Sequence, residues 1–329
     1  MSNFHFKAYL GLRFSEYFSN REWNNTVNEI EKLSDYYKIT FREKIIVDKV
    51  SFSFSNSEND VLEVKNDFSW VTTDNILIIE FQANFERFHE NKLPIDYFIN
   101  KRLQDIVIAI SIAKKGGVEI GHGAIVFING KRQFEFPIFI HNIAACVQKA
   151  KEIKWPNIKI VDLEKTINWL NRFQLETDGL SSNKIGRALN AYSFLFDERG
   201  GEDNSAELFW ALLGIEALYT DNSTGIINQI NTKSQLFLGE RKEYKKSFGQ
   251  MYDFRSRFIH GDLNFSNKFI LLDNTDEINK HWLSLDENEN LAVAILVATF
   301  QKLILSNRDS LDFEFKIRRN KKDDKSIEK

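Results

Sequence analysis

At 329 residues, with 43% hydrophobic and 28% charged side chains, the chain is long enough for two cores and has a globular rather than a disordered or fibrous composition. A net charge of −3 supplies no whole-molecule attraction to nucleic acid, so any RNA contact must come from a local basic patch. The single cysteine, Cys146, excludes an internal disulfide and suits a reducing compartment. The start of the chain has no secretory signal pattern and the apolar run at 291–300 is too short to span a bilayer, so a cytoplasmic protein with no membrane partner is expected.

Taken in chain order, the first forty residues mix aromatic and polar side chains, with a short surface helix expected over 25–37. Residues 45–47 and 50–54 alternate as strands do, 55–60 is a polar connection, and 68–71 and 76–81 are the next strands, most simply joined as a meander. Pro94 opens a helix running to about Lys115 with Tyr97, Phe98, Leu103, Ile106, Val107 and Ile110 on its apolar stripe, and Gly116-Gly117 stops it. Strands at 118–120 and 124–128 turn through Asn129-Gly130 into a partner at 134–140. Residues 1–158 therefore predict an α+β domain with an antiparallel sheet and one long covering helix.

Beyond Trp155-Pro156 the pattern becomes helical. Helices are expected over 163–175 with Asp162 as N-cap, 182–197, 205–220, 224–238 ended by Gly239, and 241–260. A loop-rich stretch at 262–287 leads to a closing apolar helix at 288–306. The division is thus an α+β domain at 1–158, a helical bundle at 159–310 and a charged tail at 311–329.

Two segments of this second half carry chemistry. Residues 208–219 are apolar nearly all round, as a helix in the middle of a bundle would be, except for Glu216. A lone carboxylate there needs a cation, and Arg255 or Lys233 is the natural candidate. In the later helix Tyr244, Phe248, Met251, Phe258 and Ile259 share a broad apolar face, and Arg255 projects from it. Five steps of about 100° place His260 about 140° further round. The two tips meet only if the helix ends near His260, as Gly261 suggests, if the Arg side chain wraps round, or if a second copy completes the site.

The order SAELFWALLGIEALYT, INTKSQLFLG, MYDFRSRFIHG resembles the HEPN superfamily, and most of all its Apea-like branch. The resemblance covers roughly the second half of the chain, and the family's Arg-x(4–6)-His motif falls on Arg255 and His260. It implies an all-α bundle that forms a homodimer with the two motifs facing each other. In many members it also implies a metal-independent endoribonuclease of toxin–antitoxin or antiviral systems. Ser256 follows the Arg where active members often carry Asn, Asp or His, and many Apea-like members share that Ser.

The residues themselves support matching roles. A neutral His260 imidazole can act as general base on a ribose 2′-hydroxyl while Arg255 stabilises charge on the scissile phosphate. The structural alternative is a buried Arg–Glu pair and a helix-terminal His that interacts with backbone carbonyls. Ser256, four residues before His260, is placed to orient the imidazole or to face solvent. Arg257 offers an RNA phosphate contact or a surface charge, and Glu216 a tether for Arg255. His122 sits between Gly121 and Gly123, where glycine in a strand marks a bulge. Gly116 to Lys131 lacks the Gly-x4-Gly-Lys-Ser/Thr pattern of a phosphate loop. His5, His89, His141 and His281 show no metal-ligand spacing, so neither metal nor cofactor is expected. The Lys and Arg cluster at 316–325 is a solvated tail or an RNA-backbone contact. The expectation is a metal-independent endoribonuclease with RNA as partner, and residues 1–158 sensing a trigger or binding an antitoxin. The alternative is a non-catalytic dimerisation or RNA-binding module.

Overall fold

The computed structural model describes residues 2–14, 19–33, 45–54, 76–85, 95–116, 118–127, 133–137, 143–173, 179–196, 205–241, 245–262 and 276–314. The strand expected at 68–71, the Asn129-Gly130 turn, His89, His141 and the basic cluster at 316–325 lie outside them. The fold is α+β.

Its sheet is built on a strand that the sequence reading passed over. In β1 (Ser2–Phe14), Phe4, Phe6, Ala8, Leu10 and Leu12 alternate with His5, Lys7, Tyr9, Gly11 and Arg13, a period of two that suits a pleated strand. β1 lies at the centre of an antiparallel five-stranded sheet ordered β2-β3-β1-β4-β5, with β2 Ile45–Phe54, β3 Ile76–Phe85, β4 Val118–Phe127 and β5 Gln133–Pro137. The expected meander is therefore corrected, because β1 inserts between β3 and β4 and pairs with both. The two strands expected within 45–54 are one, with a register shift between Val47 and Lys49. In β4 the pairing steps from Gly11↔His122 to Leu12↔Ile120, which leaves Gly121 as the extra residue of a bulge.

One face of the sheet is covered by helices. Helix α1 (Asn20–Glu31) starts five residues before the expected position because Ser19 and Glu22 form a capping box. Its Trp23 ring packs edge-on against Phe54, with centroids 5.8 Å apart. Helix α2 (Ile95–Ala113) buries Leu103, Ile106, Val107 and Ile110 of the expected stripe, the side chains of Tyr97 and Phe98 lying outside those described, and stops at Lys115 and Gly116, both at positive φ. A Cβ on Gly116 would lie 2.4 Å from Ile143 Cβ and 2.7 Å from Ala144 N. Those two residues begin α3 (Ile143–Glu152), a helix absent from the sequence reading.

The remaining helices follow the expected order. They are α4 (Leu163–Leu170), with Asp162 accepting from Lys165 N at 2.8 Å, and α5 (Lys184–Ser193), capped by Asn183. After them come α6 (Ser205–Tyr219), α7 (Ile226–Leu238), α8 (Lys245–His260) and α9 (Asp276–Leu305). α9 is the main correction here, since it starts at Asp276 within the stretch read as loop. It is long and apolar enough to cross a membrane, yet 89% of its apolar window is buried inside the protein. That makes it the core helix.

Side chains on both sides of residue 158 share one buried cluster running from Ala8 to Leu311. Polar contacts join the same parts. Gln301 of α9, 2% exposed, donates to Ile112 O and Lys159 O, each at 2.7 Å, and accepts from Lys159 N at 2.8 Å. Lys114, 1% exposed, pairs with Glu29 at 2.5 Å, and Glu29 also accepts from Leu163 N at 3.0 Å. The segment read as tail begins inside the fold, with Leu311 buried and Phe313 packed against the core.

Gln301→Leu keeps the volume of the side chain but leaves Lys159 N–H and two carbonyls without this partner. At about 1–3 kcal/mol for each buried group left unsatisfied, the variant should lose at least about 2 kcal/mol in urea unfolding. Unchanged stability would show that the amide is not needed as a joint.

Candidate functional site

The site is assembled from α6 and α8, and α6 is held by what lies behind it. Leu208, Ala211, Leu212, Ile215 and Leu218 are fully buried, and Tyr219 Oη shares a 2.7 Å hydrogen bond with Thr299 Oγ1 of α9. Gly214 lets the two helices approach closely, since a Cβ there would meet Leu296 side-chain carbons at 3.1 and 3.2 Å. With that face committed, Trp210, Leu213, Glu216 and Ala217 turn the other way. The helix is thus buried on one side only, and Leu213 is 39% exposed.

On that outward side lies a groove of about 650 Å³, lined by residues of α5 and α6, the 220–223 turn, Phe194, Ile226 and Arg255 of α8. Arg255 crosses to Glu216: its Nη2 donates to Oε2 at 3.0 Å, and Nε lies 2.8 Å from Oε1. The first is an aligned hydrogen bond; the second is an ion contact, for Oε1 has no hydrogen bond of proper angle. The two side chains are 27% and 13% exposed, so the guanidinium is half-buried and still faces the groove. The expectation that Glu216 tethers Arg255 holds. Lys233, the other candidate, instead pairs with Asp221 at 2.5 Å, as does Lys184.

Burial governs the protonation of this cluster. Removal from water pushes the Glu216 carboxyl above its ordinary value of 4.5, and Arg255 only partly offsets this. Tyr252, one turn before Arg255, is 4% exposed, with a hydroxyl that has no hydrogen-bond partner among the described residues. Burial, and then the neighbouring Glu216 charge, raise its pKa well above the usual tyrosine value. Asp221 moves down, because Lys184 and Lys233 donate to it.

The other half of the motif stands apart. Gly261, at φ +75°, ends α8: Gly261 N bonds Phe258 O at 3.4 Å and Asp262 N bonds Arg257 O at 2.8 Å, the pairing of a Schellman stop. His260 is therefore the last helical residue. It is exposed, and it is not among the residues lining the groove. Of the three routes by which the tips could meet, the Gly261 stop is present but does not by itself bring His260 to Arg255. Ser256 is also exposed. Arg257 is exposed too, and its Nη2 donates to Asp262 O at 3.3 Å. On the apolar face, Phe248, Met251 and Tyr252 are buried, whereas Ile259 is 46% exposed in the last turn.

Sequence reasoning missed two features. Phe194 and Trp210 stack face to face in the groove, with centroids 4.1 Å apart and planes 9° apart. They come from different elements, and no local pattern joins them. A second cavity of about 590 Å³ lies between α8 and α9, lined by Asp253, Phe254, Arg257 and His281 among others. The Nε2 of His281 is buried there without a hydrogen bond among the described residues. Among those residues, no group of three or more His, Cys, Asp or Glu is placed to hold a metal ion.

The raised Glu216 pKa has a definite sign. A carboxyl that holds its proton more tightly in the folded than in the unfolded chain contributes stability at low pH, and that contribution is lost as pH rises through the folded value. The stability of the wild type relative to Glu216→Gln, which does not titrate, should therefore fall as pH rises upward from 4.5. Urea unfolding of both proteins across that range reads it, and an opposite slope would mean that the Arg255 pairing outweighs burial.

No family model matches this chain, and neither a curated protein nor a solved structure matches it.

Proposed function

We propose that this chain is a metal-independent endoribonuclease of HEPN type that works as a homodimer in the cytoplasm, in a toxin or antiviral-defence role. The observation that carries the reading is Arg255, a half-buried guanidinium fixed by Glu216 and turned into a groove large enough for part of an RNA strand. In a single chain His260 is outside that groove, exposed at the end of α8. The working site takes Arg255 from one copy and His260 from the other, and a two-fold pair of chains forms two such sites at once.

The chemistry follows from the groups. His260, as neutral imidazole, takes the proton of a ribose 2′-hydroxyl. The 2′-oxygen forms a bond to the adjacent phosphorus, the bond from phosphorus to the 5′-oxygen breaks, and that oxygen leaves with a proton returned by the imidazolium or water. The products are a 2′,3′-cyclic phosphate and a 5′-hydroxyl. Arg255 stabilises the charge that gathers on the non-bridging oxygens, and Glu216 holds its planar fork in place. The attacking oxygen belongs to the substrate, so the step needs no metal-bound water. Residues 1–158 restrain this activity or receive the trigger or antitoxin partner.

One observation favours a second reading, a non-catalytic dimerisation or RNA-binding module. Glu216 already satisfies Arg255, as it would in a purely structural pair.

Purified full-length protein incubated with RNA in EDTA separates the two. His260 is exposed, so His260→Ala should leave the melting temperature unchanged while cleavage falls by about 10²–10⁴-fold. Arg255→Lys keeps the charge and loses the fork, and should also be inactive. Mixing the two inactive variants should restore about a quarter of wild-type activity, because mixed dimers carry one intact composite site. Absence of cleavage by the wild type would reject the nuclease reading, wild-type cleavage by His260→Ala would reject His260 as its base, and no recovery on mixing would reject the shared site.

A further inference from the structure

The Arg255 groove contains an aromatic surface for which the cleavage chemistry above has no use. Phe194 is 40% exposed and lies flat on Trp210 at 4.1 Å, and Leu213 beside them is 39% exposed. Single apolar residues at a surface need no explanation, but here they form one wall of a concavity whose other wall carries a guanidinium. The rings are also backed. Trp210 meets Phe209 edge-on at 5.4 Å, and Phe209 meets Phe258 at 5.9 Å, one turn beyond Arg255 on α8. The flat surface is thereby tied to the helix that carries the motif.

Charge decides what the wall would receive. The groove's own lining carries Arg187 and Arg255 with Glu216 and Asp221, and Asp221 is paired in addition with Lys184 and with the buried Lys233 beside the groove. This gives a local positive surplus on a chain whose net charge is −3. An apolar peptide would match the rings and make no use of the guanidiniums of Arg187 and Arg255 that line the groove. A nucleotide matches both, since every base has a flat π-face and every linkage an anionic phosphate. In a duplex those faces are covered by neighbouring bases, so a ring wall selects unpaired RNA.

We propose that Phe194 and Trp210 form a base-binding shelf that takes an unpaired nucleobase of single-stranded RNA while Arg255 holds the adjoining phosphate. This rests on the ribonuclease reading and names its substrate class as single-stranded RNA. Phe194 is a positioning residue: it orients the strand and takes no part in bond breaking.

The test uses the full-length protein in EDTA and a fluorescent 2′-O-methyl RNA about ten nucleotides long, which lacks the attacking hydroxyl and so cannot be cut by this route. An otherwise identical strand with abasic residues is the comparison. By anisotropy the wild type should prefer the intact strand by roughly 5- to 140-fold, the range for loss of one stacked base. Phe194→Ala should abolish that preference while the protein stays folded by circular dichroism at the assay temperature, and Phe194→Tyr, which keeps a ring, should retain it. Equal binding of the two strands by the wild type, or an undiminished preference in Phe194→Ala, would overturn the shelf. So would a shift of Phe194→Ala from dimer to monomer in size-exclusion chromatography with preference intact, which would make the groove a contact between copies. Because the probe cannot be cleaved, a preference without nuclease activity fails only the catalytic reading. Nuclease activity without a preference fails only the shelf.

Discussion

A helix that is buried on every side must be surrounded, and this fold is arranged to satisfy that demand. From Leu291 to Phe300 no residue of α9 is more than 2% exposed. Each large apolar side chain so buried contributes about 1.5–3 kcal/mol, far more than any surface pair. Apolar contact alone has no direction, so the rotation of the surrounding elements is set by a few buried polar groups. Asn290 accepts from Cys146 of α3 at 3.2 Å, Thr299 meets Tyr219 of α6, and Gln301 bonds the backbone at Ile112 and Lys159. Once Tyr219 is held by Thr299, and Gly214 lies against Leu296, the rotation of α6 is fixed. Trp210, Leu213 and Glu216 can then face only outward, and the groove is the result.

That rotation sets the electrostatics of the site. Glu216 sits where water is largely excluded, and its carboxyl pKa is raised in spite of an adjacent guanidinium. A pair in which burial outweighs attraction is weak evidence for stability, since an apolar pair of similar size is often as good or better. Its consequence is geometric. An unpaired Arg side chain retains about 2 kcal/mol of rotamer entropy, and a two-point contact to a carboxylate removes much of that freedom before any ligand arrives. The same contact suits a structural pair and a preorganised phosphate site. What distinguishes them is whether the remaining guanidinium surface opens on anything, and Arg255 opens on a groove.

Much of this was legible in the sequence where the signal is local. The helix stop at Gly116, the cap at Asp162, the end of α8 at Gly261 and the need of Glu216 for a cation, with Arg255 and Lys233 as candidates, each rest on residue chemistry within one turn, or on a single charge among apolar neighbours. Signals were lost where tertiary contact decides. The polar stretch from Asp276 to Glu287 was read as loop, yet it is helical and continuous with the core helix, with Leu285 buried. β1 alternates plainly, but nothing local places it at the sheet centre between strands that follow it in the chain. Ile259 shares the helical phase of Phe248 and is exposed, because α8 ends there and no neighbour among the described residues covers this side of its last turn. Phe194 and Trp210 belong to separate segments, and their stacking is a property of the α5–α6 packing alone.

The placement of His260 follows from the same helix geometry. A Schellman stop fixes the direction in which α8 ends, and a residue at the cap cannot swing back along the helix to a side chain more than a turn earlier on another face. Within one chain a guanidinium at Arg255 and an imidazole at His260 therefore serve different surfaces, one a groove and the other a projecting helix end. On the proposed homodimer reading, a two-fold pair would bring the helix end of each copy to the other's groove by a single operation, so neither protomer would need a bent helix or an extended Arg. On the proposed reading this makes activity depend on assembly, and it gives residues 1–158 a physical means of control. These residues share the buried cluster that fixes α6 and α9, so a partner acting on them could change how the bundle meets its copy without touching either group of the motif.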